Sequence, residues 1–452
     1  MKITKKEFAE RRAELMGLME PDSIAILPAA PVRPRNRDVD YQYRQDSDFY
    51  YLTGFAEPEA VLALIPGRKH GECVLFCRER DPAMEIWDGY RAGPEGAIKK
   101  YGADDAFPIS DLDEILPGLI EGRERVYYAM GSDADFDRKV MEWVNSIRAK
   151  VRAGAHPPGE FISLDHLLHD MRLFKSKAEI RMMKRAAEIS ANAHVRAMEK
   201  CHPGMTEYQL EAEFIHEFAR EGARHPAYPS IVGGGANGCI LHYIENQDVL
   251  QDGDLVLIDA GAEFDHYAAD ITRTFPVNGK FSEPQRQLYE VVLKAQLAAI
   301  RMVKPGNHWN QGHDAAVKAL TQGLVKLGLL KGKVDELIAE ESYRKFYMHR
   351  TGHWLGMDVH DVGDYKVAEE WRVLEEGMVL TVEPGLYIAK DDTEVDEQWR
   401  GIGIRIEDDV VVTAKGNQVL TKGVPKKVDE IEALMAAASK HRKGKSVKRK
   451  AA

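Results

Sequence analysis

The stretches 251–261 (QDGDLVLIDAG) and 375–385 (EEGMVLTVEPG) decide the fold, because both carry one pattern in which an apolar strand ends at a carboxylate. The carboxylate is Asp259 in the first stretch and Glu383 in the second. Repetition of a pattern along a chain indicates a duplicated structural unit. We therefore predict two similar halves that each present an acid at the same position.

A second acid-bearing strand follows each stretch. Asp270 begins DITRTF, and Glu407 lies in GIRIEDDVVV, so the two halves could bring four carboxylates to one point. Carboxylates a few ångströms apart cannot all stay ionised unless protons or cations compensate them. The duplication therefore predicts a site for divalent cations.

Strand parity predicts which residues share a face. Alternate strand residues point the same way, so Val379, Thr381 and Glu383 should share a polar face while their neighbours enter the core. In the second acid-bearing strand of the same half, Gly403, Arg405 and Glu407 would share a face opposite Ile402, Ile404 and Ile406. The acids are therefore predicted to share one polar face.

A histidine-rich segment supplies a further ligand type. MHRTGHWLGMDVHDVG holds His349, His353 and His360 among glycines, in a stretch too rich in turn residues to form a helix. At least one of them should reach the metal. Carboxylate oxygens with one imidazole suit Mn²⁺ or Co²⁺ and tolerate Zn²⁺ or Fe²⁺, whereas the scarcity of cysteine disfavours a structural zinc.

The runs LVLIDAG, DITRTFPV, GHWLGMDVHDVG, TVEPGLYI and GIRIEDDVVV together resemble the pita-bread metallopeptidases, and more closely their aminopeptidase P branch. YRQDSDFYYLTGFAEPEAVL and MRLFKS resemble the same branch, which extends the likeness over nearly all of residues 1–438. The resemblance implies an α/β N-terminal domain over 1–171. It implies an α+β pita-bread domain over 172–438, internally duplicated, with a curved and mainly antiparallel sheet inside outer helices. Residues 439–452 are predicted to form a basic, disordered tail.

The resemblance also implies a metal centre of two divalent ions per chain, with Mn²⁺ the first candidate and Co²⁺ or Zn²⁺ as alternatives. Strand parity alone favours Glu407 or Asp409 over Asp408, and the resemblance selects Glu407. The implied ligands, of which Asp270 and Glu407 would bridge both ions, are Asp259, Asp270, His353, Glu383 and Glu407.

Catalytic roles follow from the same resemblance. Glu383 would serve as general acid and base. His242 and His360, with His349 beside them, would donate hydrogen bonds to the peptide and to the developing oxyanion. The alternative for these histidines is structural support of the ligands. Arg405 is expected to orient a ligand carboxylate.

The implied reaction is hydrolysis of the bond between an N-terminal residue and a following proline, so the expected partners are peptides with proline at the second position. A prolidase that acts on Xaa-Pro dipeptides is the alternative enzyme. A pita-bread binding module without catalysis is a third reading, which five intact ligands disfavour.

Composition limits the partners and the cellular location that can be expected for this chain. The chain has 452 residues, 44% of them hydrophobic, and a net charge of −11, which disfavours nucleic acid as a partner. No stretch approaches the roughly 18 consecutive apolar residues of a membrane span. The N-terminus reads as an amphipathic helix, and four cysteines give no disulfide framework. We expect a cytoplasmic homo-oligomer, a dimer or a tetramer, with no membrane partner.

Local patterns predict the element order. The stretches SIAILPA, FYYLTG, AVLALIPG and CVLFCRE read as strands of an α/β domain. Capping boxes at Ser176 with Glu179 and at Thr206 with Gln209 each open a helix. Gly233–Gly238 (GGGANG) fits a dinucleotide-binding pattern, but strand-like CILHYI follows where a helix should begin, so we read it as a loop.

Overall fold

The computed structural model describes residues 2–450, with side chains up to residue 440, and the chain divides into two compact units, Met1–Arg172 and Leu173–Ala452. Each unit has a hydrophobic core of its own. None of the helices described is long and apolar enough to cross a membrane.

The first unit is built on a mixed six-stranded sheet. Its strands are β1 (Ser23–Pro28), β2 (Pro34–Asn36), β3 (Val39–Asp40), β4 (Val61–Leu64), β5 (Cys73–Cys77), β6 (Asp105–Pro108), β7 (Arg125–Tyr128) and β8 (Glu160–Ser163). The strands β2 and β3 form a separate hairpin, and the others have the order β6-β5-β4-β1-β7-β8. Because β1 pairs antiparallel with β4 and parallel with β7, the sheet is mixed.

The first unit also contains α-helices. They are α1 (Lys5–Leu18), α2 (Ser47–Thr53), α3 (Pro82–Asp88), α4 (Gly93–Gly96), α5 (Leu112–Ile120), α6 (Ala134–Arg148) and α7 (Asp165–Leu173). The buried face of α6 consists of Val140, Trp143, Val144 and Ile147, at the spacing of one helical stripe. Val140, Trp143 and Ile147 of this stripe lie in the same core as sheet residues and α5.

The stretch FYYLTG forms α2, so its prediction as a strand is wrong. Asp46 caps the helix by accepting a hydrogen bond from the Phe49 N–H at 2.8 Å, and Gly54 closes it in the left-handed conformation with φ of 62°. Arg11 and Arg12 of α1 donate to two carbonyl oxygens of its last turn. These caps outweigh the strand preference of the aromatic residues.

The second unit has long helices on its outside. They are α8 (Lys177–Lys200), α9 (Glu207–Arg220), α10 (Glu283–Met302), α11 (Asn310–Lys326), α12 (Val334–Ala339) and α13 (Val428–Lys450). Both predicted capping boxes are present, at Ser176 with Glu179 and at Thr206 with Gln209. The helix starts were therefore predicted correctly.

Its strands form small antiparallel sheets. They are β9 (His225–Pro226), β10 (Ile231–Gly234), β11 (Leu255–Asp259), β12 (Ala262–Phe264), β13 (Tyr267–Ala268), β14 (Thr272–Pro276), β15 (Lys366–Val367), β16 (Glu370–Trp371), β17 (Val379–Val382), β18 (Gly385–Ile388), β19 (Ile402–Arg405), β20 (Asp408–Thr413) and β21 (Gly416–Val419). The sheets that carry the acids have the orders β10-β11-β14, β17-β20-β21 and β18-β19.

The two predicted halves meet between β14 and the turn from β19 to β20. The Glu407 N–H donates to the Thr272 carbonyl at 3.0 Å, and the Arg405 N–H donates to the Thr274 hydroxyl at 3.2 Å. That hydroxyl donates in turn to the Arg405 carbonyl at 3.0 Å. The acid-bearing strands of one half are thus hydrogen-bonded to those of the other.

Strand β17 is buried on both of its faces. Val379 and Thr381, predicted to lie on a polar face, are as inaccessible as Leu380 and Val382. The alternation is correct, but its polar side is turned towards the other half of the unit and away from solvent. The acids therefore lie in a buried place, which strengthens their need for compensation.

The backbone of α13 is helical to Lys450, where the sequence predicts a disordered tail from residue 439. Ile431 and Met435 anchor its first turns in the core. The Lys, Arg and Ala residues that follow have high helix propensity, which extends the helix beyond this anchor. The side chains of 441–450 and residues 451–452 lie outside the part of the chain that is described.

A buried charge network supports the acid-bearing turn from behind. The Asp408 carboxylate accepts hydrogen bonds from Arg273 (2.8 Å), Lys426 (2.6 Å), Gln296 (2.7 Å) and Thr421 (2.7 Å). Burial alone would raise the pKa of Asp408, but the charges of Arg273 and Lys426 hold it below its ordinary value. Asp408 is thus a buried, ionised, structural carboxylate next to Glu407.

We expect Asp408→Asn to lower the free energy of unfolding by about 3–5 kcal/mol, because it leaves the buried Arg273 and the partly buried Lys426 short of a counter-charge. The matched control is Asp429→Asn, whose carboxylate pairs with Arg286 at 3.2 Å but is 84% exposed. This control should change stability by no more than about 0.5 kcal/mol. Urea denaturation measures both, and equal effects of the two variants would contradict the prediction.

Candidate metal centre

The histidine-rich segment lies along the edge of β17 and has no helix, as predicted. Three backbone hydrogen bonds join this segment to β17 and to Glu383 after it: Leu355 N–H to Val379 O (3.0 Å), Thr381 N–H to His353 O (2.9 Å) and Glu383 N–H to Thr351 O (2.8 Å). A Cβ on Gly352 would lie 2.0 Å from the Thr381 carbonyl oxygen, so only glycine permits this approach. The pairing places His353 beside Glu383.

Four predicted ligands converge here. Asp270, His353 and Glu407 each offer a ligand atom, and these three atoms lie within 4.8 Å of one another. The Nε2 atom of His353 is 3.5 Å from Asp270 Oδ2 and 3.6 Å from Glu383 Oε1. Two acids from different halves of the unit therefore face the same imidazole.

The His353 ring is oriented by its own backbone. Its Nδ1 lies 2.9 Å from the Trp354 carbonyl oxygen, which can only accept a hydrogen bond. Nδ1 therefore carries the hydrogen and Nε2 is directed towards the acids. A carbonyl that fixes the ring in this way is a common support of a metal-binding histidine.

Asp259, the fifth predicted ligand, joins the cluster through Tyr228. The Tyr228 hydroxyl is 2.6 Å from Asp259 Oδ1 and also contacts Asp270 Oδ1. Arg405 donates to Asp259 Oδ2 at 2.7 Å, as its predicted role of orienting a ligand carboxylate requires. The hydroxyl has one hydrogen for two carboxylates, so a further positive charge or proton is needed between them.

Tyr228 was not predicted as a site residue. It lies in HPAYPS, between β9 and β10 and before the first acid-bearing strand, where no repeat or spacing distinguishes it. Its burial and the neighbouring acids raise its pKa far above the ordinary value, so it remains a hydrogen-bond donor. The only feature of the sequence that points to Tyr228 is its closeness to the glycine-rich stretch Gly233–Gly238.

The protonation of the cluster tests whether the residues fit a metal. Burial raises the pKa of Glu383 to about 7, and burial together with the neighbouring acids raises the pKa of Glu407 well above its ordinary value. Burial opposes protonation of His353, but Asp270 and Glu383 raise its pKa to about 9. Protons thus supply the charge that cations would otherwise provide. The oxygen-rich donor set fits divalent cations.

A cleft of about 520 Å³ opens above this cluster. The predicted histidines His242, His349 and His360 all line it, together with Arg350 and Arg405. The ring centroid of His360 is 4.3 Å from that of the ligand candidate His353. Every residue predicted for catalysis or metal binding therefore borders the same cleft.

The His349 ring is held by a hydrogen bond at each of its two nitrogens. Its Nδ1 donates to the Arg350 carbonyl at 2.7 Å, which leaves Nε2 to accept a hydrogen bond from the Tyr387 hydroxyl at 2.8 Å. Burial, aided by the charge of Arg405, lowers the pKa of His349 to about 3. His349 is thus a neutral ring with both nitrogens engaged.

We expect Asp270→Ala and Glu407→Ala to lose bound metal almost completely, because these acids lie at the centre of the cluster. His353→Ala should retain part of it. Glu376→Ala, which removes an exposed acid in the turn before β17, is the control and should bind as the unmodified protein does. Elemental analysis after equilibration with Mn²⁺ gives the ratio of metal to chain, and unchanged metal in Glu407→Ala would refute the assignment.

Metal binding should release protons, because Glu383 and His353, with pKa values of about 7 and about 9, hold protons that a cation must displace. Affinity for Mn²⁺ should therefore rise with pH between about 6 and 8, since protons compete less as pH increases. Calorimetry in two buffers of different ionisation enthalpy counts the released protons. An affinity independent of pH would contradict this prediction.

Comparison with known proteins agrees with this geometry. Residues 181–414 match metallopeptidase family M24, and residues 8–127 match the aminopeptidase P N-terminal domain. The Xaa-Pro aminopeptidase of Escherichia coli K12 is 53% identical over 439 residues, covering 97% of this chain and 99% of that protein.

Two solved structures show the same fold. Pseudomonas aeruginosa aminopeptidase PepP superposes with a TM-score of 0.97 at 66% identity, covering 97% of this chain and 99% of that one. A zinc-substituted Escherichia coli aminopeptidase P in complex with product gives a TM-score of 0.94 at 52% identity, with 97% and 99% coverage. The predicted N-terminal α/β domain and pita-bread domain are confirmed. This chain belongs to metallopeptidase family M24.

Proposed function

We propose that this protein is a metal-dependent aminopeptidase that hydrolyses the bond between an N-terminal residue and a following proline. The observation that carries the proposal is the convergence of all five predicted ligands at the floor of one cleft. The relative named Xaa-Pro aminopeptidase, which is similar over almost the whole chain, supports the substrate class.

The residues that would hold two divalent ions are Asp259, Asp270, His353, Glu383 and Glu407. When bound, such ions polarise a scissile carbonyl and acidify water. Mn²⁺ is our first candidate because the donors are mostly oxygen, with Co²⁺ or Zn²⁺ as alternatives. The zinc-substituted structure of the similar Escherichia coli protein supports tolerance of Zn²⁺.

Glu383 is the proposed general acid and base. Burial raises its pKa to about 7, which suits a group that must both take and return a proton near neutral pH. The Thr351 carbonyl fixes its backbone, and the Thr381 hydroxyl lies 3.4 Å from Oε1. It would take a proton from the attacking water and return it to the leaving imino nitrogen.

His242 and His360 are the proposed donors to the oxyanion. Burial lowers the pKa of His360 below its ordinary value, so at neutral pH it is an uncharged imidazole with one N–H to donate. His242 is exposed on the wall of the cleft. His349, whose nitrogens are both engaged, would instead keep Tyr387 in place beside the substrate.

Arg405 would hold the site together and not bind substrate. Its guanidinium donates to Asp259 Oδ2 (2.7 Å), to the Tyr387 hydroxyl (3.1 Å) and to the Thr272 hydroxyl (3.1 Å). The Thr272 hydroxyl donates in turn to Glu407 Oε2 at 2.7 Å. One side chain thereby fixes two of the proposed ligands.

A prolidase remains the alternative, because a dipeptide substrate presents a free proline carboxylate that needs a cation. Arg350 is the exposed arginine that lines the cleft and could meet such a group. An aminopeptidase instead leaves this end open to a continuing chain. The two readings share the metal centre and differ only in substrate length.

We also propose a cytoplasmic, homo-oligomeric enzyme. All four cysteines are free thiols in the structure, as suits a reducing compartment. Helix α3 exposes Ile86 and Trp87 by 82% and 83%, and Tyr90, two residues after its end, is exposed by 92%. Large apolar side chains exposed together are typical of interaction surfaces.

The proposal predicts that Xaa-Pro-Yaa tripeptides are cleaved after the first residue with higher kcat/KM than the matching Xaa-Pro dipeptides. Replacing proline by alanine should lower kcat/KM by more than roughly tenfold, because two ring methylenes leave the cleft. Rates are compared in Mn²⁺ at one pH. A dipeptide that proves the better substrate would replace this assignment by the prolidase.

A further inference from the structure

Glu207, at the start of α9, is completely buried and accepts four hydrogen bonds from neutral donors. Its Oε1 accepts from the Gly234 N–H at 2.7 Å and from the Asn237 amide at 3.0 Å. Its Oε2 accepts from the Tyr243 hydroxyl at 2.8 Å and from the Asp248 N–H at 2.9 Å. One carboxylate therefore satisfies donors from the whole segment 234–248.

This segment, residues 234–248, which we call the glycine loop, begins within the GGGANG sequence of Gly233–Gly238, which is not a dinucleotide site. Its 3-10 turn, Gly235–Cys239, lies against β19 so closely that a Cβ on Gly403 would be 2.1 Å from the Gly238 carbonyl oxygen. The Asn237 amide also donates to Asp248 Oδ2 at 2.8 Å, which ties the two ends of the loop together. The glycines therefore allow this turn and β19 to pack closely against each other.

Leu241, His242 and Ile244 of the glycine loop border the cleft, and His242 is the one among them with a polar side chain. The next residue, Tyr243, points the other way and packs with Ile231, Leu257 and Tyr387 in a small buried cluster. Because the Tyr243 hydroxyl is bound to Glu207, the backbone of His242 is fixed from beneath. Glu207 itself does not line the cleft.

We propose that Glu207 is a positioning residue that sets the place of His242 in the cleft through the glycine loop. This inference rests on the role proposed above for His242. Glu207 touches neither the candidate ligands nor the substrate space, so it acts on the reaction only through the loop. Displacing a catalytic group by about 1 Å can cost up to roughly a hundredfold in rate.

Glu207→Gln tests the inference at constant side-chain shape. Each carboxylate oxygen accepts one backbone N–H, from Gly234 or from Asp248. Whichever way the glutamine amide is turned, its NH₂ group faces a backbone donor that cannot reverse its role. The loop must shift to relieve this contact.

The experiment is a double-mutant cycle of Glu207→Gln with His242→Ala, measured as kcat and KM on an Xaa-Pro-Yaa tripeptide in the Mn²⁺-loaded protein. We expect Glu207→Gln alone to lower kcat about tenfold, as loss of supporting contacts around a site commonly does. In the His242→Ala background it should lower kcat no further, since the group it positions is gone. Bound metal should stay unchanged in all variants.

Glu217→Gln is the matched control. Glu217 is a buried carboxylate of the same helix, with Oε1 2.7 Å from Arg220 and Oε2 3.8 Å from Arg196. Its loss should reduce thermal stability while kcat of the folded protein stays unchanged. Should Glu207→Gln fail to fold, Tyr243→Phe, which removes only the hydroxyl between Glu207 and the neighbour of His242, replaces it in the cycle with a smaller expected loss.

The outcomes separate the two claims. Equal losses of kcat in both backgrounds, a loss of metal in Glu207→Gln, or an equal loss of kcat in Glu217→Gln would each overturn the positioning role while leaving the peptidase assignment intact. An unchanged kcat in His242→Ala would refute the role of His242 and this inference with it. Loss of kcat in the single variants without further loss in the double variant would support both.

Discussion

Repulsion among buried carboxylates is the constraint on which this structure depends. Asp259, Asp270, Glu383 and Glu407 come from four strand ends and meet in a place that is largely closed to water. At such distances and in a medium of low dielectric constant they cannot all be ionised without compensation. Protons, one histidine and one arginine compensate them in the protein alone, and divalent cations would do so more completely. The repulsion among these four carboxylates thus accounts both for the expected binding of cations and for the contacts that hold the strands together.

The rest of the second unit holds these acids against that repulsion. Hydrogen bonds between β14 and the β19–β20 turn join the halves, and the histidine-rich segment closes on the edge of β17 through Gly352. Behind the cluster, Asp408 accepts hydrogen bonds from Arg273, Lys426 and two neutral donors. In front of it, Glu207 secures the loop of His242. Each support consists of hydrogen bonds between buried or partly buried groups, which make a site rigid.

The sequence correctly predicted those features of the structure that an internal repeat or a helix cap determines. The duplicated acids and the helix starts at Ser176 and Thr206 follow from local patterns, and the structure agrees. The GGGANG stretch, read as a loop, instead ends β10 and forms a 3-10 turn, and the CILHYI stretch after it, read as strand-like, forms no strand. The sequence did not reveal contacts between distant segments: Tyr228 lies between Asp259 and Asp270 because residues 31 and 42 positions away in the chain return to it. The aromatic residues of FYYLTG led to the wrong prediction of a strand, because the caps at Asp46 and Gly54 stabilise a helix there. The burial of the polar face of β17 depends on the other half, which no pattern within the strand reveals.

The central claim is that the duplicated acids form one centre for two cations shared by both halves. Anomalous diffraction from crystals of the Mn²⁺-loaded protein tests it most directly, because it locates each ion without assumptions about activity. The account predicts two peaks, about 3.5–4 Å apart, with Asp270 and Glu407 in contact with both. A single peak, or ions bound away from the four acids and His353 while the protein is fully loaded, would contradict it.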